Sequence, residues 1–178
     1  YDLIPILDKN SLVKDIVEWG DLFKTKPSSH KRDMPVVIMA GGEGTRLKPF
    51  TNILPKPLIP LNDKTVIEKI IGSFTDNGFH NFFLTVNFKG KILKAFFEEL
   101  EPDYSISFTE EKTPLGTAGS LQMLKEELKS TFLLTNCDVI IDLDHGDLID
   151  FHNNNNCAMT LVASAKKMTI PYGACEIN

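Results

Sequence analysis

Three glycines, an arginine and a lysine lie within sixteen positions of one another in the stretch 36–60, VVIMAGGEGTRLKPFTNILPKPLIP. Gly41, Gly42 and Gly44 carry no Cβ, so a ligand can approach the backbone closely and the chain can turn with positive φ. Successive N–H groups in such a turn form a concavity for an anion. Arg46 and Lys56 supply the two kinds of cation that suit phosphate, a planar fork and a point charge. Pro49, Pro55, Pro57 and Pro60 stiffen the loop and hold Lys56 in place. The chemistry expected is phosphate handling; a glycine-rich turn with incidental charges is the plainer alternative. No Lys-Ser or Lys-Thr follows the glycines as a P-loop requires. Nor does a third glycine complete the dinucleotide fingerprint.

Two further stretches could join this loop. Residues 110–120, EEKTPLGTAGS, combine small residues with what reads as a strand-to-helix junction. Backbone could lie against a flat ring there, and a helix N-terminus adds partial positive charge; an ordinary helix start is the alternative. Residues 133–138, LLTNCD, place Asp138 just past an apolar strand. A carboxylate so placed can hold Mg²⁺ beside phosphates, or simply serve as a turn or N-cap aspartate.

These residues need strands to carry them. The run 36–40 is short, apolar and unalternated, as in a strand buried on both faces. Thr65 and Glu68 form a capping box for a helix whose Val66, Ile67, Ile70, Ile71 and Phe74 share a face, closed by Asn77-Gly78. A strand follows over 82–87. Ile92, Leu93, Phe96, Phe97 and Leu100 then mark a helical core stripe. Residues 104–109 alternate as a strand, Leu121, Leu124 and Leu128 mark a helix, and 131–135 read as a buried strand. A short helix over 147–153, a loop over 153–156 and a strand over 158–163 complete the pattern. Strands alternating with helices define an α/β fold: a Rossmann-like, mostly parallel (mixed) sheet sandwiched by helices, with right-handed crossovers.

The N-terminal 1–23 reads as a strand, the polar turn 8–11, a second strand at Leu12-Val13, and a helix ending at Leu22-Phe23. Residues 24–33 are polar and aperiodic, a linker in which His30 is solvated. Net charge is −5 with no basic run, which argues against nucleic acid as a partner. No apolar stretch approaches a membrane span and no signal-peptide pattern opens the chain. Cys137, Cys157 and Cys175 are widely spaced and form no C-x-x-C, so reduced thiols in a cytoplasmic protein are expected and a zinc site is not. The chain opens on Tyr1 and stops at Asn178 in what reads as mid-strand, and is expected to be a piece of a longer, C-terminally truncated protein.

The pattern G-x-G-T-R-L-x-P-x-T-x-x-x-P-K-P resembles the signature of the sugar-phosphate nucleotidylyltransferases, the makers of nucleotide sugars. The segment 114–119 resembles the family's P-L-G-T-A-G, which flanks nucleobase and sugar. Asn136-Cys137-Asp138 is similar to its N-G-D, with Cys137 in place of glycine, and Tyr172-Gly173 to its Y-G. The resemblance covers roughly 34–178, the N-terminal part of a catalytic domain. It implies a fold of the nucleotide-diphospho-sugar transferase type. The family's lysine in an E-K-P-like motif and its second metal-binding aspartate are not found, so the 178 residues are expected to bind nucleotide with poor turnover. Ile4-Pro5-Ile6-Leu7-Asp8 with Gly20-Asp21-Leu22 resembles the last third of a CBS domain, with Glu18 where that family has Thr or Ser; an arm that packs on the catalytic domain is the equal alternative.

The reaction implied is NTP plus sugar 1-phosphate giving NDP-sugar and pyrophosphate. A phosphate monoester is already anionic near neutrality, with a second pKa near ~6, so no general base is needed. The resemblance assigns the β- and γ-phosphates to backbone around Gly42, Gly44 and Thr45 with Arg46, and the attacking phosphate to Lys56. Asp138 is the Mg²⁺ ligand. Ala40, Gly41, Pro114, Gly116, Thr117 and Ala118 form the nucleotide walls, and Asn136, Tyr172 and Gly173 the sugar side. A CBS-like tail before this domain is similar to bacterial mannose-1-phosphate or glucosamine-1-phosphate guanylyltransferases, so GTP is favoured. Thymidylyl- and uridylyltransferases share the loop, and a non-catalytic nucleotide sensor is the alternative from another class. Oligomeric state is open, a homo-oligomer included.

Overall fold

The computed structural model describes residues 3–18, 31–113, 115–116 and 118–165. The chain divides into two compact units, Tyr1–His145 and Gly146–Asn178. The first opens on an antiparallel hairpin of β1 (Leu3–Leu7) and β2 (Val13–Glu18). Asp8 closes its turn by accepting from the N–H groups of Asn10 and Leu12 at 2.8 and 3.0 Å. A helix was expected to follow Val13; residues 14–18 are strand instead. Val13, Ile16 and Val17 are β-branched, and the turn lays their backbone against β1, so pairing outweighs helical spacing. Residues 19–23 lie outside the described residues.

The central sheet is built on β3 (Val36–Ala40), whose Val36, Val37 and Ile38 are fully buried. A two-stranded ribbon, β4 (Pro60–Leu61) and β5 (Lys64–Thr65), leads into α1 (Val66–Thr75). The capping box is formed: the Thr65 hydroxyl accepts from Glu68 N–H at 3.3 Å, and Glu68 Oε2 accepts from Thr65 N–H at 2.8 Å. Gly78, at φ +88°, ends the turn that follows. Then come β6 (Asn81–Val86), α2 (Gly90–Leu100), β7 (Ser105–Glu110) and β8 (Leu133–Asn136). The four strands run parallel in the order β7-β6-β3-β8. The chain therefore steps away from β3 on one side through β6 and β7, then returns to its other side with β8. The order reverses at β3, which makes its C-terminal end a topological switch point.

Side chains fix what covers each face. Phe74 of α1 meets Phe82, and Phe97 of α2 meets Phe108, with ring centroids 6.4 and 5.9 Å apart. Phe82 and Leu84, the partner of Phe108 in register, point to one face, so both helices lie there. On the opposite face Ser120 donates to the buried Thr85 hydroxyl at 3.2 Å. The covering segment, Gly119–Leu124, is a 3-10 helix rather than the α-helix expected from Leu121, Leu124 and Leu128. Gly119 and Ser120 are weak helix formers, and the Ser120 hydroxyl is tied to the sheet, which suits a short, tightly wound connector.

Three other expectations change. The α2 stripe is buried only at Leu93 and Phe97, with Ile92 and Leu100 exposed, because α2 has neighbours along one narrow strip. The strand read as buried over 131–135 is β8, which pairs with β3 alone among the described residues and leaves Leu134 exposed. Arg32, read as linker, donates from its backbone to Gly78 O at 2.7 Å and from Nε to Asn77 O at 3.2 Å, its guanidinium over the Phe79 ring.

The second unit, with His145 just ahead of it, holds α3 (His145–Asn154) and a turn in which Cys157 N–H reaches His152 O at 3.2 Å. The helix thus starts two residues before the expected 147–153 and runs one residue further, to Asn154, which was expected to be loop. Residues 158–163 were expected to form a strand and do not. A strand exists only through a partner's backbone, and this segment pairs with none among the described residues, leaving Met159 and Leu161 exposed.

Candidate functional site

The glycine turn leaves the end of β3 at the switch point. Gly44 sits at φ +64° and opens a 3-10 turn, Thr45–Leu47, followed by a second over Phe50–Asn52 and a third over Lys56–Leu58. Its carbonyl accepts from Leu47 N–H at 2.9 Å and from the Thr51 hydroxyl at 3.0 Å. Its Cα is enclosed: a Cβ there would stand 2.9 Å from Thr51 Cγ2 and 3.1 Å from Lys56 Cβ. Thr51 is buried, so the turn and the lysine segment form one packed piece.

The third turn presents Lys56 toward the neighbouring strand. Cys137 N–H donates to Met39 O at 3.1 Å, extending the β3–β8 ladder one residue beyond β8. Asp138 therefore emerges beside the exit of β3, and its Oδ2 is ion-paired with Lys56 Nζ. The structure thus joins two of the expected catalytic residues, 82 positions apart in sequence. Arg46 is exposed and has no hydrogen bond or ion pair among the described residues. Thr45 is likewise exposed, Ala40 is buried in the strand end, and Asn136 is half-buried opposite Met39. Burial, and then the Asp138 carboxylate, push the Cys137 thiol up to about 11, with Lys56 pulling the other way.

The β6 and β7 ends supply the opposite wall. Glu111, buried, follows β7; its N–H donates to Val86 O at 2.8 Å and its carbonyl accepts from Asn87 Nδ2 at 2.6 Å. One carboxylate oxygen accepts from Leu115 N–H at 3.2 Å, while the other occupies the space where a Cβ on Gly41 would stand, 2.9 Å away. Gly41 is thus a glycine for close approach, and the 115–116 backbone, with Gly116 at φ +80°, is tied to it through Glu111. Gly116 and Ala118 are exposed. Pro114, Thr117, Tyr172 and Gly173 lie outside the described residues.

Glu111, Thr51 and Lys89 are the residues that sequence reasoning left without a role. Thr51 had a signal, since it is the second threonine of the sixteen-position pattern. Glu111 stands first after a strand, as Asp138 nearly does. For Lys89 no signal was present. As for a divalent cation, no group of three or more His, Cys, Asp or Glu among the described residues could enclose one. Asp138 fits the other kind of Mg²⁺ site, in which one or two carboxylates act with substrate phosphates and water.

Strand order and a glycine turn at the switch point define the doubly wound α/β class, in which ligands sit beyond the carboxyl ends of the strands. The Nucleotidyl transferase family matches residues 35–178, and the chain belongs to it. It is 37% identical over 145 residues to a mannose-1-phosphate guanyltransferase of Candida albicans and 34% identical to one of Saccharomyces cerevisiae. Each match takes in 79% of this chain and 40% of the relative, so the chain spans less than half of their length. Among solved structures it resembles HddC from Yersinia pseudotuberculosis complexed with GMP-PN, at 27% identity and TM-score 0.59. That match covers 67% of this chain and 54% of HddC. A UDP-glucose pyrophosphorylase complexed with UDP-glucose, at 17% identity and TM-score 0.60, shares the fold over 70% of this chain and 55% of that one.

Proposed function

We propose that the full-length protein is a sugar-1-phosphate nucleotidylyltransferase that makes GDP-mannose and pyrophosphate from GTP and mannose 1-phosphate. The observation that carries the reading is the meeting of Lys56 with Asp138 across the switch point, against the turn at Gly44. A cation and a metal-type carboxylate beside an anion-binding turn are what in-line phosphoryl chemistry requires, since its catalysis is alignment and charge neutralisation. The backbone around Gly42, Gly44 and Thr45, with Arg46, holds the β- and γ-phosphates as pyrophosphate leaves. Lys56 orients the α-phosphate and the attacking sugar phosphate. Asp138 would hold Mg²⁺, which when bound neutralises charge between the phosphates. Asn136 serves the sugar side, to which the motif resemblance also assigns Tyr172 and Gly173.

The names of the relatives support guanine, and we assign Glu111, whose carboxylate lies against Gly41, to its pairing edge. A carboxylate offers only acceptors. Guanine presents two adjacent donors on its pairing edge, N1–H and the 2-amino group, whereas uracil and thymine present one N–H between two carbonyls. In this reading residues 1–23 end a CBS-like regulatory module, 24–33 link it to the catalytic domain, and the protein is cytoplasmic. No helix among the described residues is long and apolar enough to cross a membrane.

The test is pyrophosphate release from the full-length protein, with four NTPs crossed against a panel of sugar 1-phosphates. Release with GTP and mannose 1-phosphate is expected. Release with another pair keeps the class and refutes the substrates, and release with none refutes the enzyme.

A further inference from the structure

Lys89 breaks two local rules. As N-cap of α2 it offers no side-chain cap, where Ser, Thr, Asp or Asn would serve. It also sits in the left-handed region at φ +57°, where glycine or asparagine would be less strained. Its Nζ instead donates to Thr51 O at 2.9 Å, 38 positions away, and lies 5.1 Å from the centroid of the Phe88 ring. A strained residue with a specific long-range bond points to a role outside its own helix.

The bond leads to the phosphate turn. Lys89 fixes the Thr51 carbonyl, Thr51 fixes the Gly44 carbonyl through its hydroxyl, and Leu47 N–H occupies that carbonyl's remaining lone pair. In a planar trans peptide the N–H points opposite to the carbonyl. Holding the Gly44 oxygen inward therefore turns the Thr45 N–H outward, and that N–H has no partner among the described residues. We propose that Lys89 is a positioning residue for NTP binding, aiming the Thr45 N–H at the triphosphate through Thr51 and Gly44. The proposal rests on the nucleotidylyltransferase reading and extends it to a residue of the β6–α2 turn.

The experiment compares Lys89→Gly, Lys89→Met and Lys89→Arg with wild type in the full-length protein. The readouts are GTP affinity, KM for each substrate, melting temperature and amide exchange over residues 44–47. Loss of a charge-assisted hydrogen bond predicts about a tenfold weaker GTP affinity and higher KM for GTP in the Gly and Met variants. KM for the sugar 1-phosphate should stay unchanged, and exchange at Leu47, whose N–H is bonded to the Gly44 carbonyl, should quicken. Lys89→Gly also relieves the positive φ, so its melting temperature should not fall while its affinity does; Lys89→Arg, which retains a donor, should restore binding. GTP affinity within twofold of wild type in both Gly and Met variants, or a lowered melting temperature with binding intact, overturns the proposal. A wild-type protein that binds no NTP fails the underlying reading, and the positioning role falls with it.

Discussion

Gly44→Ala, set against Gly42→Ala, separates what the glycine turn does for folding from what it does for binding. At φ +64° an alanine costs about 1–2 kcal/mol from the left-handed backbone alone. Its Cβ would also meet Thr51 Cγ2 at 2.9 Å and Lys56 Cβ at 3.1 Å. Neither atom is the free end of a flexible chain, since Thr51 is buried and bonded at both its hydroxyl and its carbonyl. Overpacking of this kind adds about 1–3 kcal/mol. The stiffer unfolded chain returns about 0.4–1 kcal/mol. The net expectation is a loss of about 2–4 kcal/mol, large against a total of about 5–15 kcal/mol. At Gly42 an added Cβ meets nothing within 4 Å and φ is not positive. Gly42→Ala should therefore keep wild-type stability yet lose NTP affinity, because on the proposed assignment its methyl would stand where the phosphates approach. Denaturant midpoints by far-UV circular dichroism, with unchanged m-values, measure the first effect and calorimetric titration of GTP the second. Equal stability of the two variants would refute the enclosed geometry at Gly44, and undiminished GTP affinity in Gly42→Ala would refute the phosphate assignment.

Three further outcomes are expected. Arg46→Ala and Asp138→Ala should lower turnover of the full-length protein by orders of magnitude. They should shift stability by no more than about 1 kcal/mol, because Arg46 is exposed and the Lys56–Asp138 pair is partly solvated; near-wild-type turnover in either refutes that residue's role. Glu111→Gln should narrow the preference for GTP over UTP in pyrophosphate-release assays, since an amide replaces one acceptor with a donor; an unchanged ratio removes Glu111 from base selection. His145 is buried against the Phe74 ring, 4.2 Å between centroids, and burial holds its pKa below the ordinary 6.5 despite Asp144 pulling upward. The folded state thus binds fewer protons than the unfolded one below about pH 6.5, so stability is full above that value and falls as pH drops through it. Denaturant midpoints between pH 8 and pH 5 should show this slope, and His145→Gln should flatten it; an identical slope in the variant assigns it elsewhere.

Much of the fold was legible locally. The buried run of β3, the Thr65–Glu68 box and the Asn77-Gly78 ending depend on residues within a turn or a strand of one another, and the chain formed them as written. The glycine turn was legible for the same reason, since positive φ and close approach are properties of the residues themselves. Elements whose state depends on distant neighbours were misread: residues 14–18 became strand because β1 lies beside them, Gly119–Leu124 wound tightly over Thr85, and 158–163 found no partner strand. The site divides along the same line. Sequence alone marked Arg46, Lys56 and Asp138 by residue type and motif. Only the parallel order β7-β6-β3-β8 brought Lys56 to Asp138, set Glu111 against Gly41 and tied Lys89 to the glycine turn. Contacts across 82, 70 and 38 positions are made by sheet topology, and no local pattern records them.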